Sequence, residues 1–529
     1  MRYLPYAFRN RWGTVPIFVR RKWDCPLAKC FAFRVAVLAG VIAGCHGLPA
    51  SRCPAAEPAS KPPASPIATA FELDPETAAM LKEIDAVGAY GRLNLPLKTD
   101  ENYAHTPSRY EPFGPFVEQP HKRHFLEQME YTGPGRAIPE PEHVDKVRIG
   151  FLGPIKPTVS VATGGRSHEE PLGIKMKQGC ELAIAEANAR GGYLKRKIDF
   201  ELVVANDNGL WGSSGEEIVK FAYDDKYSVW AILGTIDSAN SHIGIRVALK
   251  AEIVMMNTGD TDPTFIETNI PWVMRNIGDD RQMGYLLADY LYGARQLKRV
   301  GIIRSSNRYG RFGVRELRDS SRRLGFPVVV EMPYRLGTED FSLQLERVEK
   351  ANVEAVVHWG GDHDGARILN QMRARGMKQP FFACDRCASA EFVKIAGPNA
   401  EGVICGYPWD PTRKDPKLDA FRRGFRNKFN EEPETYAAHA YDGMNMLIWA
   451  VQAAGLNRAK IRDVIAYRTR PWPGVTGDIL FGSALDDVGD VYLAKYENGG
   501  WKYLSRRQLD IPPPAAPPEQ PRAAAQTTR

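Results

Sequence analysis

Between Val147 and Asp385 the chain alternates without a break between short apolar runs and helix-length segments, and this constrains its fold more than any other feature. The runs VRIGFLG (from Val147), IDFELVVAND (from Ile198), VWAILG (from Val229) and EIVMM (from Glu252) come first. RVGIIR (from Arg299), PVVVEM (from Pro327), AVVHWGG (from Ala355) and QPFFACD (from Gln379) follow. The segments between them carry apolar residues at helical spacing, as in Met176 to Asn188, which stops at Gly191-Gly192. Continuous apolar runs mark strands covered on both faces, and strands joined through helices form parallel sheets with right-handed crossovers. The expected architecture is α/β, with doubly wound parallel sheets. There are too many strands for one ordinary sheet, so two lobes with a cleft between them are expected.

Ligands of such sheets sit outside the carboxyl ends of the strands, near helix amino termini whose N–H groups favour an anion. Two strand ends stand out. VWAIL stops at Gly234 and yields to Thr235, Asp237, Ser238, Asn240 and Ser241, whereas EIVMM stops at Asn257 and yields to Thr258, Gly259, Asp260, Thr261 and Asp262 before Pro263. Ser238 and Thr261 are therefore expected to face a bound small molecule. Both residue types also cap helices, which is the competing account.

Of the 529 residues, 43% are hydrophobic and 25% charged, enough apolar material for real cores. The net charge of +7 sits entirely in residues 1–34, where eight basic groups oppose the single acid Asp24. The remaining chain is neutral and lacks the basic footprint of a nucleic-acid binder. The basic block precedes VAVLAGVIAG and Cys45, the order of a signal peptide, and the apolar run is too short to span a bilayer. Ile42-Ala43-Gly44-Cys45 resembles the lipobox of bacterial lipoproteins, which implies export and a lipid on Cys45, with cleavage of a plain secretory signal as the alternative. Residues 46–69 read as a Pro/Ala-rich tether, Asp74 to Ala89 as one amphipathic helix, Gly91 to Asp145 as irregular structure, and the tail from about residue 510 as disordered.

The body resembles the periplasmic leucine/isoleucine/valine-binding protein family, the type I solute receptors of ABC importers. The resemblance rests on VRIGFLGP, ELAIAEANARGG, WAILGTIDSANSH, MMNTGDTDPTF, SSNRYGRFG, HWGGDHDGA, FFACDR, EGVICGYPWD, YAAHAYDGMNML and TGDILFGSALDDVGDVYLAKYENGGW, in family order across residues 144–505. It implies a two-lobe type I periplasmic-binding-protein fold with three crossover strands, near Trp272–Asp279, Gly406–Asp410 and Thr476–Leu480. Lobe one would comprise residues 144–274 and 410–477, and lobe two residues 275–408 and 479–509. The long amino-terminal extension and the lengthened loop before Gly173, where Arg166 or His168 could reach a ligand, depart from the family.

The resemblance also implies site roles. Ser238 and Thr261, with backbone groups of Gly259 or Asp260, would hold a ligand carboxylate. Tyr309 would cover the ligand, with Arg308 beside it, and Asp385 would pair with an ammonium. Asp362 and His363 stand where the family commonly has another tyrosine, which favours a polar or cationic ligand over a leucine-like one. Trp211 could line the rim. His358, Asp362, His363 and Asp364 cannot all converge on a metal, because neighbours on a strand alternate faces, so neither metal nor cofactor is expected. Cys384 and Cys387 have CxxC spacing. A Cys384–Cys387 or Cys387–Cys405 bridge, or free buried thiols, is expected rather than redox chemistry. There is no GxSxG elbow, P-loop or zinc quartet. The expectation is a non-enzymatic, periplasmic or cell-surface receptor, lipid-anchored, that hands a small amino-acid-like solute to an ABC permease. A sensor of amides or urea with the same fold, or a CxxC oxidoreductase, are the other readings.

Overall fold

A computed structural model describes residues 73–99, 127–156, 158–159, 167–168, 171–209, 211–509 and 511, all within one compact unit spanning Ala64–Arg529. The segments read as signal peptide and tether, with Cys45, together with Arg166 and the residues beyond Ile511, lie outside the described residues.

The apolar runs form two sheets. In the first, β1 (Val147–Gly153), β2 (Phe200–Asn206), β3 (Ala231–Gly234), β4 (Val254–Asn257) and β5 (Val273–Arg275) lie in the order β2-β1-β3-β4-β5, every pair parallel. The second contains β6 (Val300–Ser305), β7 (Val330–Tyr334), β8 (Ala355–Trp359), β9 (Phe381–Ala383), β10 (Ile404–Tyr407), β11 (Tyr492–Glu497) and β12 (Gly500–Ser505). Its order is β12-β11-β10-β9-β8-β6-β7. It is parallel from β6 to β10, whereas β11 and β12 close one side as an antiparallel hairpin. Central strands β3, β4 and β8 are buried along their whole length, as continuous apolar runs require, while the edge strands β2 and β7 are partly exposed.

Two strand starts differ from the sequence reading. Pro327 has no N–H to give a ladder, and pairing of the PVVVEM run begins at Val330 opposite Gly301. Glu252 belongs to a helix end, with φ of 48°, so EIVMM becomes a strand only from Val254.

The intervening helices are α1 (Pro75–Val87), α2 (Pro171–Ala189), α3 (Trp211–Tyr223), α4 (Ser238–Ala251), α5 (Asp280–Asp289), α6 (Arg308–Arg323), α7 (Ser342–Lys350), α8 (Asp362–Ala374), α9 (Ala390–Ala396), α10 (Pro416–Phe429), α11 (Thr435–Ala454) and α12 (Arg458–Ala466). The chain passes from the first sheet to α5, which packs on α6, and later returns from β10 to α10, which packs on α2. It passes a third time through a small hairpin (Trp472–Pro473 with Asp478–Ile479) into β11. Helix α11 is buried nearly all round and lies along α2. Their approach depends on Gly179, where a Cβ would stand 2.2 Å from the carbonyl oxygen of Ala437.

The described parts of the amino-terminal extension pack on the first lobe. Asp74 caps α1 through the Thr77 N–H, and α1 lies against α12. The described parts of 91–145 are irregular apart from one 3-10 turn, Pro134–Ala137. That turn is pinned by a buried Arg136–Asp463 ion pair at 2.7 Å, and Arg136 also donates to the carbonyls of Gly91 and Tyr131. The Tyr131 ring meets Trp272 edge-on at 4.9 Å, and its hydroxyl donates to Glu252. These contacts make the described parts of the extension, residues 73–99 and 127–145, part of the folded body.

Candidate ligand-binding cleft

Parallel register brings the carboxyl ends of β1, β3, β4 and β5 to one edge of the first sheet, so the polar turns after them share a wall. Ser238 opens α4, capped by Asp237, and is buried. Its hydroxyl donates to Asp260 Oδ1 at 2.7 Å, and the Asp262 N–H donates to the same oxygen at 3.0 Å. The N–H groups of Gly259 and Asp260 are both taken by Asn257 Oδ1, at 3.0 and 2.7 Å. In the ligand-free protein the donors expected to hold a ligand carboxylate are engaged internally, and the carboxylate on Ser238 is that of Asp260. Burial and the charge of Asp262 push the Asp260 carboxyl up to about 7. Thr261 is also buried, and its carbonyl accepts the Asp280 N–H at 2.8 Å.

The segment leaving β5 is organised by Arg275, fully buried and bonded to Asp486, Asp279 and the carbonyls of Asp260 and Asp262. Asp280 begins α5 with its side chain fully buried and neither carboxylate oxygen in a hydrogen bond of ordinary geometry. Burial pushes its carboxyl well above the usual range, with a further push from the charge of Asp385, and Thr261 acts in the opposite direction.

The facing wall comes from the second sheet. Asn307 caps α6, and the next residue, Arg308, crosses to the first lobe, with Nε on Asp262 at 2.8 Å and a second nitrogen on Thr264 at 2.7 Å. Tyr309 donates to Asp385 Oδ1 at 2.5 Å, and Tyr436, on α11 of the first lobe, donates to Asp385 Oδ2 at 2.8 Å. The Arg386 guanidinium lies over the Tyr309 ring, 4.1 Å from its centroid. Asp385 is thus gripped from both lobes, and together with Arg308–Asp262 it holds them against each other.

Ser238, Asp260, Thr261, Tyr309 and Asp385 accordingly line one closed seam. Asp362 stands apart at the start of α8 and accepts a hydrogen bond from Ser389. His363 is exposed, 3.8 Å from Glu391, and does not join the others. Trp211 begins α3, but its side chain is outside the described set. Tyr436 and Asp280 were missed by sequence reasoning. Tyr436 lies in YAAHAYDG, whose apolar context reads as core, while Asp280 stands in GDDRQ, where adjacent acids read as a helix cap. The four cysteines among the described residues, Cys180, Cys384, Cys387 and Cys405, are free buried thiols, so neither expected bridge is formed.

The carboxyl ends of the parallel strands in both sheets meet at this seam, the place where α/β folds hold small ligands. The chain belongs to the periplasmic binding protein family, whose model matches residues 146–500. It is similar to the Leu/Ile/Val-binding protein homolog 2 of Brucella abortus, 30% identical over 333 residues, covering 63% of this chain and 86% of that protein. The Leu/Ile/Val/Thr-binding protein of Salmonella typhimurium is 26% identical over 324 residues, 59% of this chain and 82% of that one. Among solved structures, a branched-chain amino acid transporter substrate-binding protein of Streptococcus pneumoniae shares the fold with a TM-score of 0.60 at 22% identity, covering 68% of this chain and 99% of that one. An ABC transporter substrate-binding protein of Desulfitobacterium hafniense, solved with Leu, matches with a TM-score of 0.56 at 25% identity over 68% of this chain and all of the other. The function these relationships give is that of an extracytoplasmic solute-binding protein of the ABC-importer kind.

Proposed function

We propose that this receptor captures a small amino-acid-like cation, and that positive charge is the property its cleft reads. The observation that carries the reading is a set of three buried acids along one seam: Asp260 in the seat bounded by Ser238, Asp280 with no cation beside it among the described residues and only Thr261 acting on it, and Asp385 between two tyrosines. An unpaired buried carboxylate costs several kcal/mol, so a ligand that supplies an ammonium or guanidinium recovers that cost on closure. A leucine-like side chain would recover none of it. Sequence reasoning placed the selectivity at Asp362 and His363, and we now assign it to Asp260, Asp280 and Asp385. Closing around the cation would favour the state that an ABC permease recognises. We infer further that Cys45 carries a lipid anchor and that the folded body acts as a binder, not an enzyme.

A thermal-shift panel of arginine, lysine, a short diamine, leucine, acetamide and urea tests this. At about 100 times Kd a true ligand adds roughly 2.7 kcal/mol of stability. Stabilisation by arginine, lysine or the diamine, with leucine inert, is the expected result. Stabilisation by leucine alone would refute the charge reading, and stabilisation by acetamide or urea alone would favour the amide sensor. Loss of palmitate labelling in Cys45→Ser would support the anchor, and unchanged labelling would remove it.

A further inference from the structure

Beneath Asp385 lies a cluster that solute capture does not use. β8 and β9 are parallel neighbours with His358 opposite Ala383, so the residues just after β9 come up against the His358 side chain. A 3-10 turn, Asp385–Cys387, then folds the CxxC spacing back so that both thiols meet the imidazole. Cys387 Sγ is 3.5 Å from His358 Nδ1, and the ligating atoms of His358, Cys384 and Cys387 lie within 4.8 Å of one another. All three residues are fully buried.

We propose that His358, Cys384 and Cys387 bind one soft metal ion, Zn2+ or Cu+. Tetrahedral zinc with sulfur at ~2.3 Å and nitrogen at ~2.0–2.1 Å spaces neighbouring ligand atoms by roughly 3.5–3.8 Å, which the cluster reaches with shifts of an ångström or less. Two thiolates and an imidazole are the donors that soft metals select. The remaining ring nitrogen, Nε2, is held by the Tyr334 hydroxyl at 3.0 Å, the outer partner that fixes a ligating histidine's orientation. The walls are built for close approach: a Cβ on Gly365 would come within 2.8 Å of both Cys387 Sγ and His358 Nδ1. Cys384 Sγ donates to the Gly360 carbonyl at 3.1 Å and accepts the Gly360 N–H at 3.5 Å, which fixes its rotamer beside the ring. Loading with Zn2+ converts both thiols to thiolates and releases two protons, while loading with Cu+ releases at least one. The bound ion would tie down the turn that presents Asp385 and Arg386 to the cleft.

The test is metal analysis of the full-length protein purified under reductant, followed by titration with Cd2+ as a spectroscopic probe. The expected results are one equivalent of zinc or copper, and a thiolate-to-cadmium charge-transfer band that saturates at one equivalent. Cys384→Ser and Cys387→Ser should each abolish the band, and His358→Asn should weaken Cd2+ at least tenfold. Cys405→Ser should leave it unchanged. The proposal is overturned if the reduced wild-type protein takes up no Cd2+ and all its thiols still react with Ellman's reagent on unfolding. It is also overturned if the band survives in the double variant C384S/C387S. The wild-type measurements decide the matter even if a cysteine variant does not fold.

Discussion

Replacing Asp260 by asparagine isolates the charge that occupies the seat beside Ser238. Asparagine keeps an oxygen where Asp260 Oδ1 accepts from the Ser238 hydroxyl at 2.7 Å and the Asp262 N–H at 3.0 Å, so the turn keeps its hydrogen bonds. Only the ionisation is lost. Because burial holds the folded-state carboxyl up at about 7, against an ordinary value of 3.8, the unfolded chain gives up its proton first as the pH rises. Below 3.8 both states are protonated and nothing is lost. Between 3.8 and 7 the native state falls in stability by about 1.4 kcal/mol per pH unit, and above 7 the loss levels off at roughly 4 kcal/mol. Asp260→Asn removes this term. Its gain over wild type should therefore be larger at pH 8 than at pH 5 by about 2 to 3 kcal/mol, read from denaturant midpoints of the ligand-free protein. The same variant should bind a cationic ligand at least tenfold more weakly, a loss of about 1.4 kcal/mol. A variant whose stability tracks wild type in parallel from pH 5 to pH 8 would show that Asp260 does not titrate as a buried acid.

Four other outcomes follow from the geometry. Arg308→Ala leaves buried Asp262 without its cross-lobe partner, so the ligand-free protein should open, seen as an increased radius of gyration in solution scattering, and ligand affinity should fall. Asp385→Asn should weaken cation binding at least tenfold, while Asp362→Asn, outside the seam, should leave it within a factor of two, both measured by calorimetry. Arg136→Ala breaks a fully buried ion pair and should cost about 3–5 kcal/mol. Limited proteolysis should then cut first between residues 91 and 145, and cuts first in the second lobe would contradict the anchoring role. Gly179→Ala drives a methyl into the Ala437 carbonyl and should lower stability by about 1–3 kcal/mol through forced separation of α2 from α11.

Much of the architecture was legible before any coordinates, because it depends on local periodicity. An apolar run of strand length bounded by polar turns has one stable use when helices flank it, and the eight runs from VRIGFLG to QPFFACD all became strands paired in parallel with one another. The strand-end positions of Ser238, Thr261, Tyr309 and Asp385 were legible for the same reason, since carboxyl ends converge at one edge of such a sheet. What those side chains do to each other was not. Asp385 meets Tyr309 across 76 residues and Tyr436 across 51, and Arg136 meets Asp463 across 327. No pattern within a helix or strand encodes such separations. The same limit hid the His358–Cys384–Cys387 cluster, because adjacency on a strand argued against a metal while the β8–β9 register brings the thiols to the ring. Above all, a serine at a helix amino terminus reads equally well as a seat for a ligand's carboxylate or for the protein's own. Only the tertiary fold, by folding Asp260 back onto Ser238 and taking the nearby N–H groups with Asn257, decides which carboxylate sits there in the ligand-free molecule.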